Sequence, residues 1–156
     1  FASCCIPGNA HELLSLYKIY FDEVNKAGIL PSIYPDAKEV LEHLKDREKM
    51  LAVLSSHPEE NLIKEAKDYG VDHYFEMALG SSMDKSEGLH RILEVLGVNR
   101  KAAIFIGDTV HDLRAAKSVD VHSAGVCTGY HTREMLAREE PDFLMENLSD
   151  LKNILK

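Results

Sequence analysis

The stretch AAIFIGDTVHDLRAAK, Ala102–Lys117, sets an apolar run against two acids. Ala102 to Ile106 is the strongest strand signal in the chain, and it stops at Gly107. Asp108 follows at once, Asp112 comes four residues later, and a helical pattern then runs from about Asp112 to Ser118. Two carboxylates therefore stand where a buried strand surfaces. Acids this close repel one another unless a cation intervenes.

Outward from that stretch, strands and helices alternate. Met50–Leu54, in KMLAVLSS, reads as a short buried strand, and a helix follows from about Pro58 to Tyr69, closed by Gly70. Phe75–Leu79 is a weaker strand, followed by the loop GSSMDK and a helix over Ser86–Leu96 that Gly97 stops. His122–Val126 is another strand, Thr132–Arg138 a short helix, Phe143 and Leu144 an edge strand, and Leu148–Leu155 a closing helix. Toward the N-terminus, Leu13, Leu16, Tyr17, Tyr20, Phe21 and Val24 give Glu12–Lys26 helical spacing. After a connection over Pro31–Pro35, Asp36 can cap a helix that carries Val40, Leu41 and Leu44 on one face. The alternation predicts βαβ units and a mostly parallel sheet, with any ligand outside the carboxyl ends of the strands.

Composition limits what that ligand can be. The chain has 156 residues, 45% of them apolar, with a net charge of −8 from 26 acids against 18 Lys and Arg. That balance argues against a nucleic-acid partner, because no excess of cations is present to displace counterions. No apolar stretch approaches the roughly 20 residues that span a bilayer. The opening FASCCIPGNA lacks the basic and apolar regions of a signal peptide. Cys4, Cys5 and Cys127 have neither metal-ligand spacing nor an even count, so reduced thiols and a cytoplasmic location are expected.

The strand ends carry a matched set of groups. The Met50 strand ends in Ser55 and Ser56, the Ala102 strand in Gly107 and Asp108, and Lys85 precedes the helix after the Phe75 strand. Each alone has an ordinary reading: Ser55 as a helix cap, Lys85 as a solvated cation, Asp108 and Asp112 as turn and cap residues. Together, a hydroxyl, an ammonium and a carboxylate pair are what is needed to hold a phosphate beside a hard cation. Mg²⁺ keeps several waters and takes one or two protein acids, and the ammonium neutralises phosphoryl oxygens as a point charge. His111 lies within the acidic loop, where it could approach the metal but reads rather as a solvated residue, while His57 and His131 lie near the same edge and could touch substrate.

Ser55–Ser56, Lys85 and GDTVHD at 107–112, in this order and at strand ends, resemble the haloacid dehalogenase superfamily, and within it the phosphoglycolate phosphatase-like branch. The flanking IYPDAKEVLEHLK, YGVDHYFEMALGSS and AAKSVDVHSAGVCTGY extend the resemblance from Ile33 to the C-terminus. It implies a Rossmann-like three-layer α/β/α sandwich over residues 31–156, with residues 1–30 the remnant of a helical cap. It implies a Mg²⁺-dependent phosphatase acting on a small phosphorylated metabolite through an aspartyl-phosphate. By the same resemblance, Ser55 binds the phosphoryl group with Ser56 in support, Lys85 stabilises nucleophile and phosphate, Asp108 is the main metal ligand, and Asp112 is the second acid that orients the metal shell. Lys85 is followed by Ser86 where the family commonly has Pro. Asp120 replaces a usual glycine, which Asp tolerates if the position needs positive φ.

One part of the family pattern does not appear. The nucleophile belongs to a DxD motif after an N-terminal strand. The acids before Ser55 (Glu12, Asp22, Glu23, Asp36, Glu39, Glu42, Asp46 and Glu48) all stand in helical or connecting stretches. The nucleophile is therefore expected upstream of Phe1, on a strand between the Met50 and Ala102 strands. Without it those strands present bare inner edges, to be filled by a further segment, closed onto each other, or covered by a second copy. The alternative reading is a non-catalytic relative that binds metal or phosphate. A dinucleotide-binding protein ranks third, since no GxGxxG follows a strand.

Overall fold

The computed structural model describes residues 32–155. The helix expected over Glu12–Lys26 and the cap segment expected over residues 1–30 lie outside the described residues. Among the described residues five strands and six helices alternate: α1 Ala37–Asp46, β1 Ala52–Leu54, α2 Glu59–Asp68, β2 Met77–Leu79, α3 Lys85–Leu96, β3 Ile104–Gly107, α4 Val110–Val119, β4 His122–Val126, α5 Arg133–Ala137, β5 Phe143–Met145 and α6 Leu151–Ile154. All pairing is parallel. β1 pairs with β2, Val53 opposite Ala78. β3 pairs with β4, Ile106 opposite Ala124, and β4 with β5, Gly125 opposite Leu144.

The strands are covered on both faces, as the three-layer expectation requires. On one face Leu54 and Leu79 pack with Leu89 and Ile92 of α3, Ala115 and Val119 of α4, and Phe105. On the other, Ala124, Val126 and Met145 pack with Val40 and Leu44 of α1, Leu151 of α6, and Ile104 and Ile106. Phe105 and its two neighbours in β3 thus point to opposite layers, as the period of two in a strand demands.

Several element ends differ from the sequence reading, each for a local reason. β1 starts at Ala52 rather than Met50, because the Leu51 amide donates to the Glu76 carboxylate at 2.6 Å. β3 starts at Ile104 rather than Ala102, because Asn99 caps a 3-10 turn over Arg100–Ala102 by accepting from the Lys101 amide. α3 begins at Lys85, capped by Asp84, whose carboxylate accepts from the amides of Ser86 and Glu87. Asp36 stands at the start of α1 without capping it; its side chain accepts instead from Ser149 N and Oγ, tying α1 to the far end of the chain. The closing helix is split into a 3-10 turn over Leu148–Asp150 and the short α6. Asp120 adopts φ 63°, the left-handed conformation for which its replacement of glycine was notable.

Of the outcomes the sequence left open for the inner edges of the two ladders, direct closure of β1 onto β3 is not found among the described residues. Among the described residues β1 and β3 belong to separate sheets and do not pair with each other. β3, read from the sequence as a buried strand, is half-buried along its whole length, whereas four of the five residues of β4 are buried. Its apolar side chains are covered by the two layers, while the strand's edge toward β1 has no partner among the described residues.

A single carboxylate holds the start of β5 against β4. Asp142 Oδ2 accepts from the Ser123 amide at 2.8 Å and from its hydroxyl at 3.0 Å, and Ser123 is fully buried. The Ser123 amide, then its hydroxyl and the nearby His122, hold the Asp142 carboxyl below the usual range against the opposing effect of burial. A depressed carboxylate contributes stability above its unfolded pKa, near 4, and loses it as pH falls through the lower folded value. Asp142→Ala should therefore cost roughly 1–3 kcal/mol in urea unfolding at pH 7 by orphaning a buried donor. The difference from wild type should shrink on acidification; equal stability at pH 7 would contradict the assignment.

Candidate active site at the carboxyl ends of the strands

The site is built from the ends of β1 and β3 and from the first turns of α3 and α4. At the end of β1, the ladder continues past the strand: the Ser55 amide donates to the Leu79 carbonyl, the Ser82 amide to the Ser55 carbonyl, and the Ser81 amide to the His57 carbonyl. The Ser55 hydroxyl oxygen accepts from the His57 amide at 3.1 Å, which leaves its own proton to donate outward. Ser56 is exposed beside it.

Lys85 is the first residue of α3, and its side chain runs back over the strand ends. Its ammonium donates to the Leu54 carbonyl at 3.4 Å and to Asp112 Oδ1 at 3.2 Å, with the Phe105 ring centroid 5.9 Å away. The ammonium thus spans from the end of β1 to the helix that follows β3. The pair is partly buried, the Lys85 and Asp112 side chains being 23% and 9% exposed.

Asp112 is fixed before any ligand arrives. Its Oδ2 accepts from the Thr109 amide at 3.2 Å and from the Thr109 hydroxyl at 2.7 Å, while Thr109 Oγ1 accepts from the Asp112 amide. This reciprocal pair caps α4. Gly107 makes room for it: a Cβ there would lie 2.2 Å from the Asp112 Cβ. Both carboxylate oxygens of Asp112 are thus engaged within the protein.

Asp108 is held from a different direction, by the loop after β4. Its Oδ2 accepts from the Tyr130 amide at 2.9 Å, and its carbonyl accepts from the His131 amide at 3.1 Å. A Cβ on Gly129 would lie 2.0 Å from Asp108 Oδ2, so only glycine lets this loop come so close. His131 reaches further, its Nδ1 accepting from the Val110 amide.

The sequence-derived residues are therefore found at one edge, with Ser55, Lys85 and Asp112 linked through the Leu54–Lys85–Asp112 contacts. His111 is exposed, as its solvated reading implied, and His57 Nε2 lies 3.2 Å from Glu65. Sequence reasoning missed the supports: the Thr109 cap, the Asp84 cap and the Gly129–His131 loop. The first two carried a signal, a Thr three residues before an acid and an Asp just before a helical pattern. In the loop, His131 was read as lying near the same edge, but nothing local signalled that the loop grips Asp108.

A divalent cation fits part of this donor set. Among the described residues no group of three or more His, Cys, Asp and Glu side chains is placed to hold a metal. Mg²⁺ needs only one or two acids and fills its remaining positions with water and substrate oxygens, and Asp108, held through one oxygen only, is the carboxylate suited to it. Also among the described residues, no helix is long and apolar enough to cross a membrane.

Comparison with known proteins bears on the same residues. The sequence model of the haloacid dehalogenase-like hydrolase family matches residues 6–126. The Listeria monocytogenes protein named pyrophosphatase PpaX is 28% identical over 96% of this chain and 70% of its own length. A Mannheimia succiniciproducens protein named phosphoglycolate phosphatase is 29% identical over 79% of this chain and 57% of its own. A 1.7 Å crystal structure from Clostridium difficile, provisionally called a phosphatase, superposes with a TM-score of 0.83 at 28% identity, covering 96% of this chain and 73% of that one.

The two glycines give a direct check on the geometry. Gly107→Ala should push Asp112 off Lys85, and Gly129→Ala should push the loop off Asp108. Each should cost about 1–3 kcal/mol by overpacking, read as a lowered urea midpoint. A variant as stable as wild type would show that the close approach at that glycine is not a constraint.

Proposed function

The chain belongs to the haloacid dehalogenase-like hydrolase family, and on that premise we propose that it serves as a Mg²⁺-dependent phosphatase for small phosphomonoesters, working through an aspartyl-phosphate. The observation that carries this reading is the placement of the Lys85 ammonium, which links the end of β1 beside Ser55 to the acid that follows β3.

In this reading the phosphoryl group lies at the strand ends. The Ser55 hydroxyl, whose oxygen already accepts from the His57 amide, donates its proton to a phosphoryl oxygen. Lys85 supplies positive charge where negative charge builds as phosphorus is transferred, and Asp112 keeps the ammonium aimed. Ser56, exposed beside Ser55, takes a supporting role. Asp108 would hold Mg²⁺, which supplies Lewis-acid neutralisation of the phosphoryl oxygens. The nucleophilic carboxylate is expected on a strand between β1 and β3, from a segment outside the described residues. It attacks phosphorus, the P–O ester bond breaks and its oxygen leaves as an alcohol on taking a proton from the second acid of the same DxD motif, and water, giving a proton back to that acid, then releases inorganic phosphate from the acyl phosphate.

The relatives divide over the leaving group. Sequence relatives named pyrophosphatase match nearly the whole chain, and sequence relatives named phosphoglycolate phosphatase match about four-fifths of it. A phosphoanhydride is therefore the second substrate class to assay. A non-catalytic phosphate binder would turn over neither.

Turnover of an aryl phosphate, of phosphoglycolate and of pyrophosphate, with Mg²⁺ and with a chelator, tests the reading in protein that carries the nucleophile segment. Lys85→Ala should lower kcat by about 10²-fold or more, because its charge acts mainly on the transition state. Ser55→Ala should cost less, a neutral hydrogen bond being weaker than a charged one. Asp108→Asn should weaken Mg²⁺ binding more than Asp112→Asn, since both Asp112 oxygens are occupied within the protein. Unchanged kcat in Lys85→Ala, or activity indifferent to chelator, would overturn it.

A further inference from the structure

From the contacts around Asp108 we infer that His131 is a positioning residue for the metal-binding acid, acting through the Val110 amide rather than by touching substrate. The inference rests on the reading of Asp108 as the Mg²⁺ ligand. Val110 is the first residue of α4, where a backbone N–H has no partner inside the helix. The Thr109 cap serves a different donor, the Asp112 amide. The Val110 amide donates instead to His131 Nδ1 at 2.9 Å, across 21 residues of sequence.

The same histidine's backbone amide donates to the Asp108 carbonyl at 3.1 Å. The preceding amide, Tyr130, donates to Asp108 Oδ2, and Gly129 packs against the Asp108 side chain. Tyr130 and His131 therefore grip the turn Asp108–Val110 at three points, a carboxylate, a carbonyl and an amide, with Gly129 giving the close approach. Among those three contacts the loop contributes a side chain to one, and that is His131.

The chemistry asks for one feature of the residue. Nδ1 must be an unprotonated acceptor, so in the neutral ring the proton sits on Nε2, away from Val110. The group needed is an acceptor bonded directly to Cγ. Asn offers one, with Oδ1 in the place of Nδ1. Gln does not, because its acceptor is one bond further out, and Leu offers none.

This ordering separates positioning from general packing. Asn removes more of the ring's bulk than Gln does, so a packing role would favour Gln. A positioning role favours Asn.

Two readouts on the full-length protein test it: amide hydrogen exchange at Val110 without metal, and Mg²⁺ affinity by titration calorimetry. His131→Leu and His131→Gln should lose protection at Val110 and weaken Mg²⁺ binding by about 10-fold or more, as loss of a partner that orients a ligand does. His131→Asn should restore both. Unchanged protection at Val110 in His131→Leu, or Asn behaving like Leu, would overturn the inference. If wild type itself bound no Mg²⁺, the assignment of Asp108 would fail, and the Val110 exchange series would still decide whether His131 holds the turn.

Discussion

The ammonium of Lys85, lodged between the Leu54 carbonyl and the Asp112 carboxylate, is the contact on which the site depends. It spans from β1 to the acid after β3, two strands that share no ladder among the described residues. Removing one partner of such a pair leaves the other charge partly buried and uncompensated, at a cost of several kcal/mol when burial is complete and less where water reaches, as it does here. The surroundings are arranged accordingly. α3 is capped by Asp84 just ahead of Lys85, Thr109 holds the other oxygen of Asp112, and Gly107 leaves the space that Asp112 fills. The lysine's position is thus set by two capped helix starts, which are among the more rigid places to hang a long side chain.

The edge between β1 and β3 carries the second constraint. Each strand pairs on one side only among the described residues. An apolar strand with a half-buried edge and unsatisfied backbone groups is costly, about 1–3 kcal/mol for each buried orphan. In the proposed enzyme the nucleophile strand would lie along that edge and would bring its carboxylate beside Lys85 and Asp108. Stability and chemistry would then share one requirement.

Much of this was legible in the sequence because it is local. GDTVHD, the run before it and the alternation of strand and helix signals located the edge and its acids, and the order of Ser55, Lys85 and Asp108 carried the family resemblance. Asp120 could be read as tolerating positive φ from its residue type alone, and its φ of 63° agrees. What could not be read depends on contacts distant in sequence. Nothing local tells Asp36 to leave its helix for Ser149, 113 residues away, or tells His131 to accept from Val110. The division of labour between the two acids was also hidden, since spacing shows two carboxylates but not that Thr109 and Lys85 occupy both oxygens of Asp112.

The most direct test of the account is a crystal structure of the full-length protein with Mg²⁺ and tungstate, an oxyanion that mimics phosphate. The expected result is an oxyanion within hydrogen-bond distance of Lys85 Nζ and Ser55 Oγ, a cation on Asp108, and a parallel strand between β1 and β3 with its carboxylate facing the oxyanion. An oxyanion bound elsewhere, or β1 hydrogen-bonded directly to β3, would contradict it.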